Sequence, residues 1–385
     1  MTDRIYLDWN ATTPLRDEAR RAMLGALDLA GNASSVHAEG REARRWIEAA
    51  RASVATAVGA VPRHVVFTSG GTEANALALA PGLKADGAPA VERLVLSAIE
   101  HASVLSGGRF AASAIACLKV ARDGAVDLDH LRDLLRDGSP ALVSIMLANN
   151  ETGAVQPIAE AAEIIHAGGG LLHVDAVQAF GKISVDMRAL GADLLTLSAH
   201  KIGGPKGVGA LILSEGLTGP QPLLRGGGQE LSRRAGTENV AGIAGFGAAA
   251  TAAMANLPVE AERIQALRAR LENGLRQTPN MIIFSDTGRR LPNTTLFTVP
   301  GMRAETAVIG FDLAGIAASS GSACSSGKVQ PSHVLQAMGF DLEIAQGAVR
   351  LSMGWSTRDA DVDSCLEAWR SVAGRLLKDQ RRNTA

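Results

Sequence analysis

From Val65 onward, short apolar runs alternate with segments of helical period, and this alternation restricts the possible fold more than any other feature of the chain. The runs are Val65-Val66-Phe67, Arg93-Leu94-Val95-Leu96, Leu142-Val143-Ser144-Ile145-Met146, Leu171-Leu172-His173-Val174 and Leu194-Leu195-Thr196-Leu197. Each is the length of a buried strand, and the intervening segments are long enough for a crossover helix. The pattern predicts an α/β protein with a mostly parallel sheet flanked by helices, whose ligands collect beyond the carboxyl ends of the strands. The polar residues that follow each run are therefore the candidates for chemistry.

With 385 residues, the chain exceeds the size at which one core keeps growing, which favours two packed domains. The stretch 240–257 carries no charge but is mostly Ala and Gly, so it reads as a closely packed buried helix rather than a membrane span. After it, 260–276 has the pattern of an amphipathic helix, followed by short strands and turns marked by Pro292, Asn293 and Pro300. The expected division is an N-terminal segment 1–15 near the site, a large domain 16–257 and a smaller α+β domain 258–385. The basic end 378–383 is expected to fray.

A net charge of −1 and 3% aromatic residues argue against nucleic acid as the main ligand. Three cysteines, Cys117, Cys324 and Cys365, are too few and too scattered for a disulfide framework. The first residues place charges where a signal peptide needs an apolar segment. Together these features predict a cytoplasmic protein in a reducing compartment, with no membrane partner and no metal.

Three strand exits carry the chemistry. After Val65-Val66-Phe67 comes Thr68-Ser69-Gly70-Gly71-Thr72-Glu73 and then a helical run. Glycines let backbone approach an anion, and a helix start offers unpaired N–H groups, which suits one phosphate. An ordinary capped turn would look the same. No Gly-x-x-x-x-Gly-Lys-Ser/Thr sequence supports a nucleotide P-loop, and Gly-x-Gly-x-x-Gly is also missing from this turn. The second exit is His173-Val174-Asp175-Ala176-Val177-Gln178, and the third is Ser198-Ala199-His200-Lys201. A desolvated lysine has a lowered pKa and forms Schiff bases with aldehydes, and a nearby carboxylate keeps a pyridine nitrogen protonated. Singly, Asp175 reads equally as a helix cap and Lys201 as a surface charge. Their joint placement with a phosphate turn suits one cofactor.

The sequence resembles the cysteine desulfurases of the NifS/IscS type, within the fold-type I pyridoxal-phosphate enzymes. Besides the three exits, the matching motifs are Tyr6-Leu7-Asp8, Ala11-Thr12-Thr13-Pro14, Glu100-His101 and Asn149-Asn150-Glu151-Thr152-Gly153. Further along are Gly226-Gly227-Gly228-Gln229-Glu230, Arg234-Ala235-Gly236-Thr237 and Ser319-Ser320-Gly321-Ser322-Ala323-Cys324. The match runs in order across nearly the whole chain, and the Ser-Gly-Ser-Ala-Cys sequence is the part that points to desulfurases.

The resemblance implies that pyridoxal 5′-phosphate is the cofactor, held on Lys201 as a Schiff base, with Asp175 on its ring nitrogen and Gln178 on its ring oxygen. His101 would stack on the ring and move protons, while Gly71, Thr72, Ser198 and His200 would hold the phosphate. Thr237 would reach that phosphate across a subunit interface, which implies a homodimer. Arg350, helped by Asn150, would grip the carboxylate of L-cysteine. Cys324, in a loop expected to be flexible because of the small residues on both sides, would take the sulfur as a persulfide and pass it to an acceptor protein such as an iron-sulfur scaffold. Cys117 and Cys365 read as structural. His37 has no assignable chemistry, His64, His130 and His166 read as surface residues, and His333 lies near Cys324 without a metal-ligand pattern. The nearest alternatives are a selenocysteine lyase or an aminotransferase, with a non-catalytic module for docking sulfur acceptors in a different class. One departure stands out: Glu73-Ala74-Asn75-Ala76 replaces the Glu-Ser-Asp-Asn common in IscS forms, which leaves the contacts behind the cofactor open.

Overall fold

The computed structural model describes residues 4–321 and 331–383. Its centre is a seven-stranded sheet in the order Val65–Thr68, Gly209–Leu213, Leu194–Ser198, Leu171–Asp175, Ala141–Met146, Arg93–Ser97, Ile115–Leu118. Gly209–Leu213 runs antiparallel to both neighbours and the remaining pairings are parallel. The middle strands are buried along their whole length, as expected for a sheet covered on both faces. A second, antiparallel sheet has the order Ile282–Ile283, Thr294–Thr298, Val349–Ser352, Ser319–Ser320.

The N-terminal strand Ile5–Tyr6 pairs in parallel with Ile316–Ala317, and Asp8 bridges to Ser352. The chain then turns back over the large sheet: Thr13 N–H and Thr13 Oγ1 both donate to the carbonyl of His200. This short segment thus fastens the small sheet to the turn that carries Lys201.

The uncharged helix Val240–Ala255 packs against Asp17–Leu27 and Ala38–Ala57. Its glycines explain how closely they approach. A Cβ on Gly247 would lie 2.5 Å from Ala50 Cα, and one on Gly245 would lie 2.6 Å from Met23 Cγ. Among the described residues, no single helix is long and apolar enough to cross a membrane. The next helix, Leu257–Leu275, contributes Ile264, Leu267, Leu271 and Leu275 to a separate core with Phe297, Phe311 and Trp369.

One sequence expectation is corrected. Ser319–Ser320 is a strand hydrogen-bonded to Val349–Ser352 rather than part of a flexible loop, because edge pairing satisfies its backbone. Residues 378–383, read from the sequence as a polar basic terminus, form the last part of the helix Asp359–Asn383. Cys365 is buried, and burial pushes its thiol up to about 12. Cys117 is exposed on the edge strand Ile115–Leu118, so a core role does not fit it. His37 gains a structural role as N-cap of Ala38–Ala57. His166 is exposed, whereas His64 and His130 are half-buried.

At the sheet centre, His173 lies 2.8 Å from Ser144 Oγ and 3.0 Å from Thr196 Oγ1, linking three adjacent strands. Burial lowers its pKa to about 4, against partial opposition from Asp175. The folded protein therefore resists protonation that the unfolded chain accepts near 6.5, so stability falls as pH drops from 6.5 towards 4. Relative to the wild-type apoprotein, His173→Gln should remove about one proton's worth of slope from the pH dependence of the urea midpoint over that window; an unchanged slope would remove His173 as a source. Gly247→Ala should destabilise by about 1–3 kcal/mol through overpacking, seen as a lower midpoint. Gly374→Ala, which meets nothing within 4 Å, should leave the midpoint unchanged or raise it.

Candidate active site

The three strand exits converge as the sheet requires. A cavity of about 230 Å³ is lined by Gly71, Thr72, His101, Asn150, Asp175, Gln178, Ser198, His200 and Lys201, together with Asn75, Ser103, Met146, Ala148 and Val177. The parallel strands Leu171–Asp175 and Leu194–Ser198 end side by side, so Asp175 and the short turn Ala199–Lys201 reach the same opening.

The anion turn is built from backbone. Gly70 has a φ of 154° and precedes the helix Gly71–Ala78, a conformation that favours glycine. Thr68 Oγ1 donates to Gly70 O, and Ser69 N–H donates to Glu73, closing the helix start. A Cβ on Gly71 would sit 3.1 Å from Val177 and 3.5 Å from Ser198 Cβ, so glycine keeps this wall of the cavity open. Burial next to Lys201, Lys206 and Lys182 lowers the pKa of His200 to about 4.

At the buried end, Asp175 Oδ2 accepts from Asn75 Nδ2 at 2.8 Å and Oδ1 from Val177 N–H at 3.0 Å. Asn75 Nδ2 also donates to Ser103 Oγ. The Asn75 position that departs from the common pattern thus braces Asp175. Its signal in the sequence is a polar residue within an otherwise apolar turn of helix. The neighbouring Glu100 is fully buried, with Oε1 accepting from Met146 N–H at 2.6 Å. Burial and the Asp175 charge push its carboxyl well above the usual range.

His101 caps the helix Ala102–Leu105. The Ser103 N–H donates to Nδ1 at 3.2 Å, and the Ser103 hydroxyl lies 2.8 Å from the same nitrogen. In the neutral ring, this places the proton on Nε2. Burial lowers the His101 pKa; Asp175 opposes this, and Lys201 and His333 reinforce it.

Lys201 Nζ donates to the carbonyls of Asn10 at 2.5 Å and Ala11 at 2.9 Å. Gln178 Nε2 donates to the same Asn10 oxygen at 3.0 Å. Neither Asn10 nor Lys182, which contacts Gln178 from behind, was singled out by sequence reasoning, because both act through partners distant in sequence or on an adjoining turn.

Arg350 and Thr237 lie outside this lining. Arg350 is buried on Val349–Ser352, with Nη1 donating to Asn150 O at 2.9 Å and Nη2 to Asp8 Oδ1 at 2.7 Å. Its Nε has no hydrogen-bond partner among the described residues. Thr237 lines a separate cavity of about 160 Å³ with Ser69, Arg234 and Glu238. Cys324 lies outside the described residues. The described ends of its segment both reach Glu151: Ser332 Oγ donates to Glu151 Oε2, and a Cβ on Gly321 would lie 3.0 Å from that oxygen. Burial raises the Glu151 carboxyl to about 7, although Ser332 and Arg350 pull it down. His333 Nε2 is 3.0 Å from Glu100 O. Among the described residues, no group of three or more His, Cys, Asp or Glu is placed to hold a metal ion.

The donor set fits pyridoxal phosphate: an amine, a braced carboxylate, an imidazole and a glycine-rich helix start share a cavity sized for one small molecule. Comparisons with known proteins agree. The class-V aminotransferase family model matches residues 5–365. A cysteine desulfurase of Cereibacter sphaeroides is 43% identical, with 97% of each chain covered. The IscS-like cysteine desulfurase of Mycobacterium tuberculosis is 40% identical, again over 97% of each chain. The crystal structure of a NifS-like protein from Rickettsia africae superimposes with a TM-score of 0.86 at 39% identity, covering 96% of this chain and 99% of that one. The chain therefore belongs to the class-V aminotransferase family, among the NifS/IscS-type cysteine desulfurases of pyridoxal-phosphate-dependent fold type I.

Proposed function

We propose that this protein is a cysteine desulfurase that converts L-cysteine to L-alanine and takes the sulfur onto Cys324 as a persulfide. The observation that carries this reading is the grouping of Lys201, Asp175 and His101 on one cavity. Its wall at Asn150 adjoins Glu151, where both described ends of the Cys324 segment meet.

The bound cofactor supplies an electron sink that weakens bonds to the substrate α-carbon and, through it, the bond from Cβ to sulfur. Asp175, fixed by Asn75 and the Val177 N–H, would hold the proton on the ring nitrogen. Gly71, Thr72, Ser198 and His200 would hold the phosphate, joined by Thr237 of the second subunit in a homodimer. Lys201 Nζ takes the α-proton, and His101 Nε2 moves a proton on the other side of the exchange. The Arg350 guanidinium holds the substrate carboxylate with Asn150, and its unpartnered buried Nε is a donor suited to that anion.

Sulfur transfer balances without an external oxidant. The Cys324 thiolate attacks the substrate sulfur, the new S–S bond forms as the Cβ–S bond breaks, and the electron pair remains on Cβ. That carbon then takes a proton, so cysteine plus thiol become alanine plus persulfide. The persulfide passes to an acceptor protein, of which an iron-sulfur scaffold is the expected kind.

Two measurements test these assignments. Purified protein with full cofactor loading should form alanine from L-cysteine, while Cys324→Ala, equally loaded, should fall to background; equal alanine from both would make Cys324 dispensable. Arg350→Lys, which keeps the charge but loses the planar fork, should raise KM for cysteine roughly tenfold or more with a smaller change in kcat. A drop in kcat at unchanged KM would show that Arg350 does not grip the substrate.

A further inference from the structure

Gln178 is the cavity residue whose usefulness depends on which way its side-chain amide faces. An amide has an acceptor at one end and donors at the other, so its orientation decides whether it attracts or repels an anionic ring oxygen. The Asn10 carbonyl can only accept, so the end facing it at 3.0 Å is Nε2. At the other end, Lys182 Nζ lies 2.7 Å from Gln178 Oε1 and 3.0 Å from the Gln178 carbonyl. Both contacts place an N–H donor on oxygen.

We infer that Lys182 is a positioning residue for the cofactor: by binding both oxygens of Gln178, it locks the amide with Nε2 towards the cavity, so that the second N–H is offered to the cofactor's ring oxygen. The inference rests on the pyridoxal-phosphate site described above and on Gln178 as the ring-oxygen partner, and it adds the group that sets the partner's polarity. Lys182 lies four residues beyond Gln178 in the same run of turns, so the contact is local. Burial, with Lys201 and Arg350 adding to it, pushes the Lys182 amine well below the usual lysine range. The neutral amine still has N–H groups to donate, so the lock does not require a charge. Lys182 also lines a second cavity of about 300 Å³, shared with Trp9, Arg16, Glu260 and Trp355. That space gives room for a longer donor at this position.

A donor on the ring oxygen weakens that oxygen's hold on the proton it shares with Lys201 Nζ. Losing the donor therefore raises the pH midpoint of the visible absorption band of protein loaded with pyridoxal phosphate. The experiment titrates that band, without cysteine, in wild type, Lys182→Met, Lys182→Arg, Gln178→Leu and the double variant Lys182→Met/Gln178→Leu. The expected result is a midpoint about one unit higher in Lys182→Met, the size of one lost hydrogen bond. Gln178→Leu should shift in the same direction, the double variant should go no further than Gln178→Leu, and Lys182→Arg should return the midpoint towards wild type.

A wild-type midpoint in Lys182→Met overturns the inference, as do fully additive shifts in the double variant, which would mean that Lys182 acts independently of Gln178. Where Lys182→Met does not load the cofactor, Lys182→Gln, which keeps an N–H donor, replaces it. A midpoint near wild type then supports the lock, and one displaced as far as Gln178→Leu overturns it. Because no substrate is present, the outcome is separate from the desulfurase assignment, which stands or falls on alanine formation.

Discussion

A buried polar backbone must find partners inside the protein, and Asn10 is where this requirement joins the parts of the structure. Asn10 is only 1% exposed. Its N–H donates to Ser352 Oγ, its side-chain Nδ2 to Asn150 O and Thr294 Oγ1, and its Oδ1 accepts from Asn293 Nδ2. Its carbonyl accepts from both Gln178 and Lys201. Every polar atom of one residue is thus used, with partners on the small sheet and on the turns beyond the strands of the large one, Lys201 among them. Leaving any of them unpaired would cost about 1–3 kcal/mol, so the relative placement of the small sheet and the Lys201 turn is strongly specified.

Charge is sorted within the same space. On one side, burial beside Lys201 lowers the pKa of both His200 and His101, with Lys206 and Lys182 adding to it at His200, and Lys182 is itself lowered by burial near Lys201 and Arg350. On the other side, burial, reinforced by the Asp175 charge, pushes the Glu100 carboxyl well above the usual carboxylate range.

The segment leading to Thr237 is also held by a buried interaction. Glu230, Leu231 and Ser232 all have positive φ, a costly conformation for residues with a Cβ. Arg51 compensates: its Nη1 and Nη2 grip Glu230 at 2.6 and 2.9 Å, and Glu230 Oε2 also accepts from Phe67 N–H on the strand that leads into the phosphate turn. Breaking one partner would leave the other buried and uncompensated. The arrangement ties the loop before Thr237 to the strand before Gly71.

The β-α alternation was legible because strand burial writes itself into short runs of consecutive residues, and the candidate side chains stand immediately after those runs. Asp175, Lys201 and the Gly70-Gly71-Thr72 turn could therefore be read from the sequence by itself, and their motif order, with the Ser-Gly-Ser-Ala-Cys sequence, carried the family resemblance. The pairing of Ser319–Ser320 with Val349–Ser352 was not legible, since a run of small polar residues becomes a strand only when an edge is available to pair with. The bracing of Asp175 by Asn75 and the orientation of Gln178 by Lys182 depend on which faces of local turns point into the cavity. The closure of Arg350 onto Asp8 links residues 342 positions apart. Local periodicity fixed the elements and the order of the chemical groups; hydrogen bonds between segments distant in sequence, formed only after packing excludes water, decided which groups face one another.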